Sequence, residues 1–429
     1  MFCNQCEQAR GGVGCSGNMG ICGKDADVQC LQEMIEYGLK GMAAYASHAR
    51  RLGKHDESVS AFIEEALFST MTNVNFDVPT LVGIAMELGQ KNLRVMELLD
   101  EGHIEKFGKP SPSVVREGTM DGPGILVTGH DMVDLWELLQ QLEGTDIKVY
   151  THGEMLPAHM YPKLREHPNL AGHYGSAWQN QYAEFEAFSG AIVATTNCIL
   201  IPQGGYADRL FTTRFTAVPG GKRISDGNFA AVIAKARQCA PLKKHLVRTS
   251  TVGFHRTVIL EQAAAIVQAV KDGKISRFFV IGGCDGAEQS RNYFNEYAEA
   301  TPADSFILTL GCGKYRIRNH DYGTLLGLPR LMDMGQCNDA YGAIAVAAAL
   351  AKAFNCGVND LPLTMVISWF EQKAIAVLLT LLSLGIKGIT IGPNPPAFMT
   401  RNVWEFLKEK FDLKLIGREP KKDLEMVMA

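Results

Sequence analysis

The most constraining feature of this sequence is a short apolar run that ends in a cysteine-bearing turn. The run at residues 278–281 (Phe-Phe-Val-Ile) is followed directly by Gly-Gly-Cys-Asp-Gly at residues 282–286. A buried strand that stops at a tight turn has this form, and its thiol is presented where the strand ends. The same pattern precedes Cys198, Cys312 and Cys337. Because open α/β sheets bind ligands at the carboxyl ends of their strands, these four thiols predict a binding site.

The cysteine content favours metal or redox chemistry over disulfides. The chain has 11 cysteines, an odd number, and its start lacks the basic and apolar regions of a signal peptide. We therefore expect a cytoplasmic protein, in which disulfides are rare. The net charge of −4 gives no basic field for nucleic acid or an acidic membrane. The longest apolar stretch, residues 374–386, is shorter than the ~20 residues of a membrane span.

The first 24 residues form a glycine-rich segment with four cysteines, Cys3, Cys6, Cys15 and Cys22. Four thiols this close together are typical of a tetra-thiolate site. Zinc and an iron–sulfur cluster both accept such ligands. Only the first pair has the CxxC spacing, whereas a zinc ribbon usually has two such pairs, so the spacing favours an iron–sulfur cluster.

The hydrophobic pattern divides the rest of the chain into a helical part and an α/β part. Apolar residues at helical spacing predict helices over 25–52, 57–71 and 79–101, which would form a three-helix bundle. Residues 109–124 have the proline and glycine content of a linker. Strands and helices alternate beyond it, which indicates parallel sheets covered by helices, with residues 204–226 as an irregular connection. A second α/β unit begins near residue 246.

Seven residues of metal-ligand type come just after predicted strands: His130, Glu154, Cys198, Cys284, Cys312, Cys337 and Glu371. A single histidine, glutamate or cysteine at such a position is usually structural, but seven together indicate a metal site. Mixed thiolate, imidazole and carboxylate ligands leave weaker, exchangeable positions where a substrate can bind. Glu371 and Lys373 together could supply a ligand and a proton donor.

The motifs that carry these residues resemble those of the hybrid cluster protein family, also called prismane proteins or hydroxylamine reductases. The matching segments cover nearly the whole chain: Met-Phe-Cys-Asn-Gln-Cys-Glu-Gln at 1–8, Thr-His-Gly-Glu-Met-Leu-Pro-Ala-His at 151–159, Thr-Thr-Asn-Cys at 195–198, Gly-Gly-Cys-Asp-Gly at 282–286, Gly-Cys-Gly-Lys-Tyr-Arg at 311–316 and Glu-Gln-Lys at 371–373. The resemblance implies an α/β multidomain fold, in which an N-terminal three-helix bundle precedes two Rossmann-like α/β domains with parallel sheets. We place these domains at residues 1–120, 121–245 and 246–429. The short helical region is similar to that of the family's short subclass.

The resemblance also implies two cofactors. Cys3, Cys6, Cys15 and Cys22 would bind a proximal [4Fe-4S] cluster, with a two-iron cluster as the alternative because the last gap is six residues long. A hybrid [4Fe-2O-2S] cluster would lie between the two α/β domains. Its ligands would be His130, Glu154, Cys198, Cys284, Cys312, Cys337 and Glu371. Cys284 would carry a persulfide.

The implied reaction is the reduction of hydroxylamine to ammonia and water with electrons from an external donor protein. Glu371, Lys373 and His130 are the candidates for positioning the substrate or delivering protons. Reduction of nitric oxide to nitrous oxide at the same site is an alternative, and so is a nitric-oxide-responsive protein that passes nitrosyl groups to partner thiols. All three roles fit an anaerobic response to nitrosative stress. Carbon monoxide dehydrogenase chemistry is disfavoured because the chain lacks that family's length and additional cysteines.

Overall fold

The computed structural model describes residues 1–428, and these begin with the N-terminal cysteine loop and three packed helices. Each helix starts at an aspartate whose carboxylate accepts a backbone N–H from the first turn, namely Asp25, Asp56 and Asp77. Such caps satisfy N–H groups that have no partner within the helix. The three predicted helices are confirmed as α1 (Ala26–Arg51), α2 (Glu57–Ser69) and α3 (Val78–Phe107).

An eight-stranded sheet follows, in which seven strands are parallel. Its order is β7-β6-β5-β2-β3-β4-β1-β8, and only β8 runs antiparallel, against β1. The strands are β1 (Ser113–Thr119), β2 (Gly124–Thr128), β3 (Lys148–Thr151), β4 (Leu170–His173), β5 (Ala191–Ala194), β6 (Leu210–Thr213), β7 (Lys222–Ile224) and β8 (His245–Val252). The α-helices in this part are α4 (Met132–Gln141), α5 (Pro162–Arg165), α6 (Gln181–Ala187) and α7 (Ala230–Gln238).

Two stretches of this sheet differ from the sequence prediction. The predicted linker over 109–124 is wrong, because β1 lies within it and pairs with both β4 and β8. Pairing on two sides outweighs the turn-forming composition of the flanking residues. The predicted irregular connection over 204–226 contains β6 and β7. The strand β8, which begins at His245, belongs to this first sheet.

A second sheet has six strands, all parallel, in the order β13-β10-β9-β14-β15-β16. Its strands are β9 (Arg277–Gly283), β10 (Ser305–Thr309), β13 (Leu331–Asp333), β14 (Leu363–Ser368), β15 (Thr390–Gly392) and β16 (Lys414–Leu415), and a separate pair is formed by β11 (Thr324–Leu325) and β12 (Leu328–Pro329). The α-helices are α8 (Arg256–Glu261), α9 (Ala263–Lys271), α10 (Asn292–Ala300), α11 (Lys314–Ile317), α12 (Ala340–Phe354), α13 (Gln372–Ser383), α14 (Arg401–Phe411) and α15 (Pro420–Met428). The predicted α/β class with parallel sheets is confirmed.

The helical part is packed closely onto the second sheet through α13, which contacts both α1 and α3. A Cβ atom on Gly89 of α3 would lie 2.2 Å from the carbonyl oxygen of Leu379, and one on Gly41 of α1 would lie 2.7 Å from that of Gln372. These helices therefore approach each other backbone to backbone, at a separation that only glycine permits. Within residues 1–428, the helices lack the combined length and apolar character that crossing a membrane requires.

Candidate metal centre

The two sheets bring the seven predicted ligands to one region. Each residue follows the carboxyl end of a different parallel strand: His130 after β2, Glu154 after β3, Cys198 after β5, Cys284 after β9, Cys312 after β10, Cys337 after β13 and Glu371 after β14. In the first sheet the three strands are adjacent, and in the second the four strands are adjacent. Both sets include the point where strand order reverses, which is where open α/β sheets bind ligands.

Direct contacts join the two sets of candidate ligands. The backbone N–H of Cys337 donates to Glu154 Oε2 at 2.9 Å. The side-chain amide of Gln336 donates to the carbonyl oxygens of His130, at 3.0 Å, and Glu154, at 2.7 Å. Ligand atoms of His130, Glu154 and Cys337 consequently lie within 4.8 Å of one another. One metal centre could therefore take ligands from both sheets.

The glycines of the cysteine motifs allow neighbouring turns to touch. Gly283 has φ of +97°, and a Cβ there would lie 2.1 Å from the Ser368 carbonyl oxygen. Gly311 has φ of +72° and would place a Cβ 2.5 Å from the Gly283 carbonyl oxygen. Only glycine adopts this conformation at this separation without strain. The Cys284 N–H can therefore donate to the Ser368 carbonyl at 2.9 Å, between the adjacent strands β9 and β14.

Two candidate ligands of the first sheet are held in defined orientations. His130 Nδ1 lies 2.8 Å from Thr196 Oγ1, which leaves Nε2 as the ring nitrogen available to a metal. Cys198 has φ of +64°, a conformation that costs a non-glycine residue energy and often marks a functional site. Its carbonyl accepts a hydrogen bond from Gln181 Nε2 at 2.6 Å. The surrounding contacts thus fix an otherwise unfavourable turn.

Two ion pairs, one partly and one fully buried, hold the cysteine turns of the second sheet in place. The Asp285 carboxylate accepts hydrogen bonds from Arg316 at 2.9 and 3.0 Å, and its backbone carbonyl accepts one from Trp178 Nε1. Lys314 Nζ donates to Asp333 Oδ1 at 2.6 Å and to the Gly335 carbonyl at 2.8 Å. The first pair positions the turn of Cys284, and the second joins the turns of Cys312 and Cys337.

Lys373 and Glu371 lie together at the start of α13. Glu371 caps the helix by accepting the Lys373 N–H at 3.0 Å. Lys373 is 2% exposed, and its Nζ donates to Asn197 Oδ1 at 3.0 Å and lies 3.8 Å from Glu371 Oε1. Burial by itself lowers the pKa of this lysine, but Cys337 and Glu371 raise it above its ordinary value. A protonated ammonium is therefore held among the candidate ligands.

The electrostatics of these residues fit a metal cluster. Burial raises the pKa of the Cys198 and Cys312 thiols well above the ordinary range and brings those of Cys284 and Cys337 to about 12. Burial also raises the pKa of Glu154, whose Oε1 has no hydrogen-bond partner among residues 1–428. A bound metal cation would complete this set, because metal coordination deprotonates thiols and satisfies carboxylate oxygens. Thiolate, imidazole and carboxylate together suit iron in a mixed-ligand cluster.

A cavity of about 120 Å³ lies in the second α/β unit, and three of the candidate ligands line part of it. Its walls are almost entirely apolar and include Ile266, Phe306, Leu310, Met332, Ala343 and Leu378. The three candidate ligands in its lining are Cys284, Cys337 and Glu371. A small neutral molecule could cross such a cavity without losing hydrogen bonds to its walls, whereas a charged one would be excluded.

The four N-terminal cysteines lie on one loop. The backbones of Cys3 and Cys15 exchange hydrogen bonds of 3.0 and 2.8 Å, which places these residues side by side. Cys15 is buried, Cys3 and Cys6 are half-buried, and Cys22 is exposed. Backbone N–H groups of Ile21 and Arg10 lower the pKa of Cys15, as expected where a thiolate is favoured.

A second buried cluster of Asp100, His255 and Asp339 has a different character. His255 Nδ1 accepts the N–H of Thr257, so its Nε2 carries the proton and donates to Asp100 Oδ1 at 2.6 Å. Arg256 neutralises the same carboxylate at 2.5 Å. This histidine offers no free lone pair to a metal, and we interpret the cluster as an ion-pair network between α3 and the second α/β unit.

Sequence reasoning missed the residues that support the candidate ligands. Gln336 directly precedes Cys337, and Lys314 follows Cys312 by two positions. This closeness in sequence was the signal that could have identified both as supporting residues. Tyr45 of α1 is 1% exposed, and its hydroxyl donates to Cys337 Sγ at 3.1 Å. A tyrosine at helical spacing in an amphipathic helix is usually a core residue, so its pattern gives no sign of this contact.

Residues 1–82 and 77–425 match the family described as Prismane/CO dehydrogenase family. The chain belongs to this family. A relative from Moorella thermoacetica named hydroxylamine reductase is 55% identical over 429 residues and is covered completely, as is this chain. Another of that name, from Thermotoga petrophila, is 46% identical over 432 residues, covering 100% of this chain and 99% of the relative.

Solved structures of low sequence identity share the fold. Carbon monoxide dehydrogenase IV from Carboxydothermus hydrogenoformans superimposes with a TM-score of 0.80 at 16% identity, covering 99% of this chain and 92% of that one. A nickel-free carbon monoxide dehydrogenase from Thermococcus sp. AM4 gives 0.79 at 16% identity, covering 100% and 89%. At this identity the similarity establishes the architecture alone.

Proposed function

We propose that this chain is a hydroxylamine reductase, an iron–sulfur oxidoreductase that converts hydroxylamine, two electrons and two protons into ammonia and water. The observation that carries the proposal is the convergence of seven metal-ligand side chains from seven strands on one buried region. The family assignment and the names of the full-length relatives agree with this enzyme class.

Two groups of residues would hold the cofactors. Cys3, Cys6, Cys15 and Cys22 would bind a [4Fe-4S] cluster, or a two-iron cluster as the alternative. The hybrid [4Fe-2O-2S] cluster would be held by His130, Glu154, Cys198, Cys284, Cys312, Cys337 and Glu371, with Cys284 as a persulfide. When bound, this cluster supplies electrons and exchangeable positions for the nitrogen or oxygen of the substrate.

The side chains around this site can hold protons and exclude water. Lys373 Nζ is a buried ammonium whose contact with Asn197 Oδ1 fixes its position. Glu371 Oε1 lies 3.8 Å from that ammonium, so a substrate held beside Glu371 would be within reach of a proton donor. His130 has one nitrogen committed to Thr196. With its other nitrogen on the cluster, His130 would position the site, while Lys373 would donate the proton that N–O cleavage requires.

Reduction of nitric oxide is the second candidate function. It would convert two nitric oxide molecules, two electrons and two protons into nitrous oxide and water. The apolar cavity whose lining includes Cys284, Cys337 and Glu371 favours it, because its walls suit a neutral diatomic molecule. Neutral hydroxylamine can enter the same cavity, so the cavity excludes neither substrate.

The remaining proposals concern the domain boundaries, the electron donor and the cellular location. We propose domains at residues 1–120, 121–245 and 246–429, and an external electron donor protein that reduces the N-terminal cluster. The 11 cysteines form no disulfide bonds within residues 1–428, which supports a cytoplasmic location, since that compartment keeps cysteines reduced.

The test is anaerobic turnover with a reduced viologen donor, comparing hydroxylamine and nitric oxide at equal low concentration. Glu371→Gln should abolish turnover while the N-terminal cluster keeps its spectrum, and Glu409→Gln, at an exposed position of α14, should leave turnover unchanged. Faster consumption of nitric oxide would favour the second candidate. Failure to turn over either substrate with all the iron bound would contradict both reductase functions and favour nitrosyl transfer to partner thiols.

A further inference from the structure

A tyrosine of the helical part reaches the candidate metal centre. Tyr45 is buried, and its Oη lies 3.1 Å from Cys337 Sγ, although 292 positions of sequence separate the two residues. Within the described chain, Tyr45 is the hydrogen-bond partner of this sulfur. A metal-bound thiolate carries no proton, so the phenol must be the donor.

The position of Tyr45 is fixed by backbone packing. Gly41 lies one turn before it on the same face of α1, and a Cβ on Gly41 would lie 2.7 Å from the Gln372 carbonyl oxygen and 2.8 Å from Lys373 Cα. Helix α1 therefore touches the first turn of α13. Lys373 Nζ lies 5.8 Å from the centre of the Tyr45 ring. The hydroxyl is held by rigid elements, which makes its contact with Cys337 specific.

We infer that Tyr45 is a positioning and tuning residue of the metal centre, which donates a hydrogen bond to the Cys337 thiolate and thereby raises the reduction potential of the cluster bound there. This inference rests on the proposed function, because it takes Cys337 as a cluster ligand. Hydrogen bonds to cluster sulfurs are among the factors that set such potentials. A donor withdraws electron density from the sulfur and stabilises the reduced, more negative state.

The experiment is a redox titration of the anaerobically prepared full-length protein, followed by electron paramagnetic resonance. Tyr45→Phe removes one hydroxyl and keeps the ring. We expect the equilibrium constant for one-electron reduction of the Cys337-bound centre to fall about tenfold, a shift of about 59 mV to lower potential. The N-terminal cluster should keep its potential and serves as a control within the same sample.

Tyr297→Phe is the matched control variant. Tyr297 is also buried, and its hydroxyl has no hydrogen-bond partner within the 428 residues described. This substitution should leave both potentials unchanged. If Tyr45→Phe binds iron poorly, the same titration is made on protein with 3-fluorotyrosine at position 45. This replacement keeps the ring and makes the hydroxyl a stronger hydrogen-bond donor. It should shift the potential of the same centre upwards.

The outcomes separate this inference from the proposed function. Two iron centres in the unmodified protein, with one potential lowered by Tyr45→Phe, support the inference. Two centres whose potentials respond to neither substitution at position 45 overturn the role of Tyr45 and leave the proposed function standing. A single iron centre in the unmodified protein, bound by the N-terminal cysteines, overturns both.

Discussion

Replacing Lys314 with methionine tests how the cysteine turns of the second sheet are held together. Lys314 is 2% exposed, and its ammonium bonds Asp333 Oδ1 at 2.6 Å and the Gly335 carbonyl at 2.8 Å. Methionine keeps most of the side-chain volume but leaves the buried Asp333 carboxylate without its cation. Removing one partner of a buried ion pair typically costs about 3–5 kcal/mol. Since Asp333 Oδ1 also accepts the Gly335 N–H at 3.0 Å, we expect about 3 kcal/mol.

The assay is thermal unfolding of anaerobically prepared protein, together with its iron content. For a cooperative unit of the size of the second sheet and its helices, about 2–4 °C per kcal/mol gives a fall of about 6–12 °C in the unfolding midpoint. Iron should be lost preferentially from the centre bound by Cys312 and Cys337, because the lysine joins their turns. Lys314→Met combined with Asp333→Asn should recover part of the loss, since no buried charge is then unpaired.

Lys408→Met is the control for this prediction. Lys408 pairs with Glu405 at 2.9 Å on the surface of α14, with both side chains about half exposed. A pair of this kind contributes about 0–1 kcal/mol, so the midpoint should fall by less than about 4 °C. Equal midpoints for the two methionine variants, with full iron in both, would refute the assignment of Lys314 as the link between the cysteine turns.

Two further predictions concern the backbone and the pH dependence. Gly283→Ala should lower the free energy of unfolding by about 3 kcal/mol or more, because its Cβ would meet the Ser368 carbonyl oxygen at 2.1 Å. Gly53→Ala is the control, because Gly53 is also at positive φ but no atom of the described chain lies within 4 Å of the new Cβ. It should lower the free energy of unfolding by only about 1–2 kcal/mol. Equal thermal midpoints for the two alanine variants would contradict this prediction. Burial lowers the pKa of His103 to about 4, so the unfolded state binds more protons between pH 6.5 and 4 and stability falls as the pH drops through that range. His103→Phe should reduce the loss of unfolding free energy between pH 7 and pH 5 by about 2 kcal/mol. The measurement is urea unfolding at both pH values, and an unchanged loss in the variant would show that His103 does not cause it.

The positions of the candidate ligands were predictable because they follow a local pattern. An apolar run, a glycine turn and a cysteine appear together in the sequence, and the carboxyl ends of parallel strands meet at one edge of a sheet. The pattern therefore located Cys284 and Cys312 without knowledge of strand order. The adjacency of β13, β10, β9 and β14 depends on the pairing of distant segments, so only the structure supplies it.

The features that the sequence did not reveal depend on contacts between distant segments. The strand β1 has a proline- and glycine-rich surrounding and is stabilised by two neighbouring strands. Tyr45 has the spacing of a core residue in α1, and its role depends on how closely α1 approaches α13 at Gly41. A local pattern carries no information about either arrangement, because both result from packing between segments far apart in sequence.

The most direct test of the central claim is crystallography of the anaerobically prepared protein with anomalous diffraction at the iron edge. The proposal predicts two separate iron clusters. One would lie beside Cys3, Cys6, Cys15 and Cys22, and the other between the carboxyl ends of the two sheets, within bonding distance of His130, Glu154, Cys198, Cys284, Cys312, Cys337 and Glu371. Anomalous density at the N-terminal loop alone, with the four thiols between the sheets free of metal, would contradict it.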